Sequence, residues 1–422
     1  MNISDQSSRT EKVVIMTLKK WINLTLISLL FVAILGVLLR YKITFSLPII
    51  NQKYLQHSHS HFAMTGWITQ MIMILLACRV SSVFSDQHFK KYNFVLFFNL
   101  ASAYGMLVSF LFQGYGPVSI FFSTCSILAM YVFGVQLWRD MSKSTVKLPS
   151  FPWFKASIIF AFLSTLGIMF LVYLMVSRNR DINIQQATTY YFLHFQYNGF
   201  FFFSCFGLFL NILDNKGINL TGTNKFFWFY SIATAISYFL STLWMHFPLG
   251  IYLIVAASGI VLLMGWVWFV NQLRGHLPAL RPSLSVPVSW LLLLSAIAYT
   301  IKVILQAGSA IPSLNNMAFG YRPIVIGYLH LVFLAVITIF ILGYLLYARY
   351  INYNRLLWYG MIVFIIGIIA NELALMLQGL AAMSYKVLPF INESLFIITV
   401  VMLTGTIMVN LGIYKKSSKH KD

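Results

Sequence analysis

The feature that most constrains this chain is a run of about 20 mostly apolar residues, the length a helix needs to cross the hydrocarbon core of a bilayer. Such a run recurs twelve times: Trp21 to Leu39, His59 to Cys78, Tyr92 to Phe112, Val118 to Trp138, Phe154 to Val176, Thr188 to Leu213, Phe226 to Met245, Leu249 to Asn271, Val286 to Gln306, Arg322 to Tyr347, Leu356 to Ala382 and Phe390 to Tyr414. Backbone polar groups in lipid must be satisfied within the segment, so each run is expected as a helix. The fold class that follows is an all-α polytopic bundle of twelve transmembrane helices. Residues 1–20 and 415–422 are read as polar tails, and 21–414 as one transmembrane domain. The connections are short, as in Gln113-Gly114-Tyr115-Gly116-Pro117, and leave no room for a second, soluble domain.

Composition agrees. Of the 422 residues 59% are hydrophobic and 9% charged, where a soluble domain carries roughly a quarter charged. A soluble globular fold is excluded. The net charge of +20 would suggest nucleic acid as partner in a soluble chain. Here it reads instead as a topology signal, because Lys and Arg are retained on the cytoplasmic side. With the N-terminus inside, 21 of the 29 basic residues fall in inner segments and 7 in outer loops. Both termini are therefore expected in the cytoplasm, with the chain in a bacterial-type inner membrane. The first run is followed by Arg40-Tyr41-Lys42 rather than a small-residue cleavage pattern, so it reads as a retained helix. Cys78, Cys125 and Cys205 lie inside apolar runs without CxxC or CxxCH spacing, which argues against disulfides, a zinc knuckle or covalent c-type haem.

Nine histidines are present, and six of them sit on four of the expected helices. At about 1.5 Å per residue, His61 and His330 lie about 26 Å above the cytoplasmic end of their helices, His194 about 29 Å and His246 about 30 Å. Helices 2, 6, 7 and 10 are thus expected to present imidazoles in one layer near the outer face. A lone imidazole in a bilayer helix is costly, and several at one depth point to a metal or haem, since neutral imidazole is the commonest metal ligand. His246, beside Pro248, also fits an interfacial helix end. In His57-Ser58-His59-Ser60-His61 the i, i+4 pair His57 and His61 shares a face while His59 points nearly opposite. One can serve a cofactor inside the bundle while another faces a second site or the aqueous boundary.

Two further ionisable groups lie inside spans. Lys302 and Glu372 each sit about 24 Å up, and mutual pairing is the economical expectation for them. The polar patch His194-Phe195-Gln196-Tyr197-Asn198-Gly199 has too much hydrogen-bonding capacity for a lipid-facing stripe and is expected inside the bundle. Most aromatic residues, including the run Phe200 to Phe203, are expected in lipid-facing or interfacial belts.

Twelve helices with histidines on helices 2, 6, 7 and 10 resemble the catalytic subunit of haem-copper oxidases and nitric oxide reductases. The segment His59-Ser60-His61-Phe62-Ala63-Met64-Thr65-Gly66-Trp67 is also similar to the H-x-H-x4-G-aromatic signature of NnrS-type haem- and copper-containing membrane proteins. The resemblance implies a low-spin haem on His61 and His330, with His59 nearby and Arg322, Arg178 and Arg180 as propionate partners. It implies copper or non-haem iron on His194 and His246, with His57 as a further metal ligand, and redox roles for Tyr197, Tyr328, Lys302 and Glu372. The sequence departs from the family at Tyr328, where a second haem histidine is expected. It departs again on helix 7, which has one histidine in place of a pair, and at Tyr197, three rather than four residues after His194. The implied activity is electron transfer, or binding and reduction of dioxygen or nitric oxide, without a complete binuclear centre. The implied partners are the lipid bilayer, an electron-donor protein or quinol, a small diatomic gas and a companion membrane subunit. Two rivals remain: a proton-coupled secondary transporter with a histidine-lined substrate or metal site, and a non-catalytic gas or haem sensor. No repeat between the two halves is apparent to support the transporter.

Overall fold

The computed structural model describes residues 3–85, 88–179 and 181–415. Among them are twelve helices long and apolar enough to cross a membrane, and no strand. We number them α1 (Ile3–Thr44), α2 (Gln52–Ser81), α3 (His88–Gln113), α4 (Pro117–Lys143), α5 (Phe151–Val176), α6 (Ile182–Asp214), α7 (Thr223–Met245), α8 (Leu249–Ser283), α9 (Val286–Gly308), α10 (Arg322–Tyr347), α11 (Arg355–Met383) and α12 (Ile391–Tyr414). This is the all-α, polytopic membrane architecture read from the sequence. Two boundaries differ. The first helix begins at Ile3, within the expected tail, and α2 begins at Gln52, so that His57, His59 and His61 all lie inside it. Asn51 explains the earlier start: its side chain accepts from the amides of Lys53 and Tyr54, an N-cap that satisfies donors the helix leaves open.

The chain clusters into two compact units. One comprises Met1–Val146, Tyr344–Ala374 and Leu388–Asp422, the other Lys147–Gly343 and Leu375–Val387. In the first unit the first and last helices lie antiparallel. Thr44, at the end of α1, donates to the Asn392 carbonyl at 3.2 Å, and Asn410, near the end of α12, donates to Leu26 O at 3.2 Å. Without a hydrophobic driving force between helices in lipid, close backbone approach and interhelical hydrogen bonds carry the packing. Glycines mark the closest approach: a Cβ on Gly405 would stand 2.5 Å from the Phe364 nitrogen, and one on Gly412 2.7 Å from that of Leu357. Deeper in the unit, Ser126 donates to Asn99 Oδ1 (2.9 Å), Asn99 to Gln70 Oε1 (2.8 Å) and Gln70 to the Leu96 carbonyl (3.1 Å), joining α4, α3 and α2.

The second unit has an aromatic core. Trp153 at the start of α5 packs against Phe203, Phe206, Phe226 and Phe227, with ring centroids 4.2 to 5.5 Å apart. The run Phe200 to Phe203, expected in a lipid-facing belt, is buried here. The reason is the position of α6, the most enclosed span in the structure: a helix covered on all sides buries aromatics wherever they fall.

Gly405→Val forces its side chain into the backbone of α11, where nothing can rotate away. We expect a loss of about 1–3 kcal/mol, the usual penalty for overpacking, read as a lower midpoint of thermal unfolding in detergent than for the wild type and for an exposed control such as Leu411→Val.

Candidate functional site

Three spans lose α-helical regularity at the same place relative to a histidine. In α2 the backbone turns π-helical over Ala63–Thr69, directly after His61 and Phe62. In α6 it does so over Phe195–Phe201, directly after His194, and in α10 over Leu331–Thr338, directly after His330. These are the π segments among the described residues, and such segments occur mostly at functional sites because they re-aim side chains and release carbonyls from the ladder. Released carbonyls are used here: Asn99 of α3 reaches Thr65 O at 3.4 Å, and Ser295 of α9 donates to Val336 O at 2.7 Å.

A sequence pattern accompanies the geometry. His61-Phe62-x3-Gly66-Trp67 is matched by His194-Phe195-x3-Gly199-Phe200 and, more loosely, by His330-Leu331-x3-Ala335-Val336. The small residue falls inside each π segment and permits close packing; a Cβ on Gly199 would lie 2.4 Å from that of Phe160. A search for repeats between the two halves overlooks this pattern, because it recurs every four helices rather than every six.

In the second unit, His194 is 1% exposed and both of its ring nitrogens are engaged. Nε2–H donates to the Thr234 carbonyl (2.8 Å), and the Asn198 amide donates to Nδ1 (3.0 Å), which fixes a neutral tautomer. The Thr234 carbonyl also accepts from Ser237 (3.0 Å), and Ser237 accepts from Gln306 Nε2 (3.2 Å). Gln306 Oε1 in turn accepts from Lys302, which is 3% exposed and lies over the Tyr299 ring at 5.4 Å. Tyr299 and Tyr230 share a hydrogen bond through their hydroxyls. One polar chain therefore links Lys302 of α9 through α7 to His194 and Asn198 of α6. Lys302 was expected to pair with Glu372; its partner is instead Gln306, while Glu372 is half-buried in the first unit and accepts from Asn371 at 3.2 Å. A neutral amide answers each ionisable group, which spares the cost of desolvating a second charge.

The remaining residues of the second unit divide clearly. Tyr197 is buried, and its ring meets that of Tyr328 edge-on at 6.1 Å. His330 is half-buried, and its Nδ1–H donates to the Ile326 carbonyl one turn back at 2.8 Å, so that Nε2 carries the lone pair. His246 departs from expectation. α7 tightens to a 3-10 helix over Ser237–Met245, Thr242 leaves helical geometry, and His246 lies exposed beyond the helix at φ +54°. The tighter helix rises about 2.0 Å per residue, so it exhausts the membrane depth sooner than an α-helix would. Arg322 opens α10 and is exposed, and Arg178 is exposed just past the end of α5; Arg180 lies outside the described residues.

In the first unit the i, i+4 rule holds. His61 stacks on Phe110 (centroids 4.4 Å apart, 13° between planes), its Nε2 is 2.9 Å from the Tyr115 hydroxyl, and the His57 ring meets Tyr115 edge-on at 4.6 Å. His59 lies on the other face, where a Cβ on Gly36 of α1 would come within 3.5 Å of its ring. The sequence gave no reason to single out Tyr115, Asn198, Gln306, Ser237 or Asn99. Only the fold shows that these polar residues meet the ionisable ones.

No known family model matches the chain, and no curated protein matches it.

Gln306→Leu leaves the buried Lys302 head without its acceptor, whereas Lys302→Met removes the demand. We expect Gln306→Leu to cost about 3–5 kcal/mol, Lys302→Met less, and the double variant to recover most of the loss, as read by thermal unfolding in detergent. Equal costs for the two single variants with simple additivity would show that the pair is not coupled.

Proposed function

We propose that this chain is an integral membrane haem protein of the haem-copper oxidase type, with both termini in the cytoplasm of a bacterial-type inner membrane. It serves electron transfer or the binding and reduction of a small diatomic gas, dioxygen or nitric oxide. The observation that carries the reading is the shared placement of a π segment directly after the histidines of α2, α6 and α10. The axial ligands we assign are His330 of α10 and one histidine of the α2 run, His61 or His59. His330 fits the role: a Nδ1–H bond to a backbone carbonyl fixes the tautomer and ring orientation that a metal-ligating Nε2 requires. Bound there, haem supplies reversible one-electron chemistry. Arg322, exposed at the start of α10, is the residue we assign to a propionate.

A complete second metal centre does not fit the same residues. Both nitrogens of His194 serve Thr234 and Asn198, and His246 lies beyond its helix in an exposed position. Tyr328 stands where the family has a second haem histidine. We therefore assign His194 to the polar chain of the second unit and route no step through copper or non-haem iron at that position. Electrons are expected from a protein partner or from quinol. A second reading, a proton-coupled transporter, draws on one observation, the buried Lys302 and the polar chain that holds it. A gas or haem sensor would share the haem site and differ in turnover.

Expressed in a haem-sufficient host and purified in detergent, the protein is expected to show a Soret band that shifts on reduction, with the sharp α band of bis-imidazole haem. His330→Ala should abolish that spectrum while helicity is retained, and one of His61→Ala and His59→Ala should do the same. A wild-type protein without a Soret band sinks the reading, and proton-coupled uptake in vesicles would then favour the transporter.

A further inference from the structure

The face of α2 that carries His57 and His61 is built around a phenol. The corner between α3 and α4 delivers it. Gly114 takes φ +60°, and its missing side chain makes room for the Tyr54 ring, which a Cβ there would meet at 2.4 Å. The turn is then pinned by Ser119, whose hydroxyl accepts from the Gly116 amide at 2.9 Å and donates to the Gly114 carbonyl at 2.6 Å. Tyr115 is held between these two fixed points and projects against the two imidazoles one helical turn apart.

Three donor atoms converge there. His61 Nε2 and Tyr115 Oη are 2.9 Å apart, close to the edge of a coordination polyhedron with bonds of about 2.0 Å. His57 packs on the same ring, and its Nε2 is buried with no hydrogen-bond partner. A buried polar atom left unpaired costs about 1–3 kcal/mol, so it marks a place where something else is meant to bind. Phe110 forms the floor under the His61 ring.

We propose that His57, His61 and Tyr115 form a binding site for a divalent transition-metal ion, with copper(II) the preferred occupant. Two imidazoles and one phenolate suit this class of ion, and copper(II) binds such nitrogen and oxygen donors most tightly among the divalent first-row metals. Burial raises the pKa of the Tyr115 hydroxyl, so the phenol keeps its proton until a cation replaces it. Binding then proceeds by exchange: the metal bonds to Oη, the phenolic proton leaves to solvent, and affinity rises with pH. The site stands apart from the haem proposed above. With His61 engaged here, the α2 ligand to that haem is His59, on the opposite face.

The experiment uses the full-length protein in detergent, treated with a chelator and then titrated with copper(II). One equivalent is expected to bind with nitrogen hyperfine structure in the electron paramagnetic resonance spectrum and a phenolate-to-copper charge-transfer band in the visible. His57→Ala and His61→Ala should each weaken that equivalent by more than about tenfold, since even outer-shell partners are worth 10- to 100-fold. Tyr115→Phe should remove the charge-transfer band and leave nitrogen hyperfine structure, with size-exclusion profile and helicity unchanged. His246→Ala and His276→Ala serve as controls for adventitious surface imidazoles and should change nothing. Unaltered affinity in both His57→Ala and His61→Ala, or an unaltered visible band in Tyr115→Phe, overturns the site. Copper binding of this form in a protein without a Soret band leaves the site standing and removes the haem reading. A Soret band with no copper-binding equivalent does the reverse.

Discussion

Everything in this structure depends on the rule that a backbone carbonyl or amide cannot be left bare in hydrocarbon. Where α2, α6 and α10 run as regular helices the rule is met locally. Where they turn π-helical it is not, and a neighbouring helix has to answer. Asn99 answers at Thr65, and Ser295 at Val336. Thr338 turns its hydroxyl back to the Phe333 carbonyl, five residues away, a donor matched to a π turn. The polar residues inside an otherwise apolar chain are thus placed by the irregular turns, and the histidines sit at the mouths of those turns.

The same rule explains how the second unit accommodates a lysine. Lys302 reaches an amide, the amide reaches a serine, and that serine shares a carbonyl with His194. The carbonyl of Thr234 accepts from both sides, so it joins the two halves of the network without offering a path for a proton through it. Charge and imidazole are coupled electrostatically and by position. This differs from the direct ion pair expected between Lys302 and Glu372, and the difference follows from the price of burying two charges where one amide suffices.

Much of the fold was legible in the sequence. Twelve apolar runs became twelve helices, and the α6 patch from His194 to Gly199 is enclosed as its hydrogen-bonding capacity required. The site was legible only in part. The i, i+4 spacing of His57 and His61 placed them on one face, but Tyr115 lies 54 residues beyond His61 in a glycine-rich turn, and no local pattern links them. Depth counted at a constant rise misplaced His246, because residues 237–245 are not α-helical. The π segments are likewise invisible to hydropathy, which sees apolar residues and not the turn they make. Their trace in the sequence is the small residue five positions after each histidine, at Gly66, Gly199 and Ala335.

The antiparallel clasp of α1 and α12 bears on how the protein is made. Thr44 and Leu26 find their partners at Asn392 and Asn410, near the far end of the chain. The segment Lys147–Gly343 is continuous and carries most of the second unit, whereas the first unit takes in both the opening helices and the last one. Domains generally fold as units while the chain is being synthesised. The unit begun first is therefore finished last: α1 waits in the bilayer, its packing face unmatched, until the ribosome has released the final span.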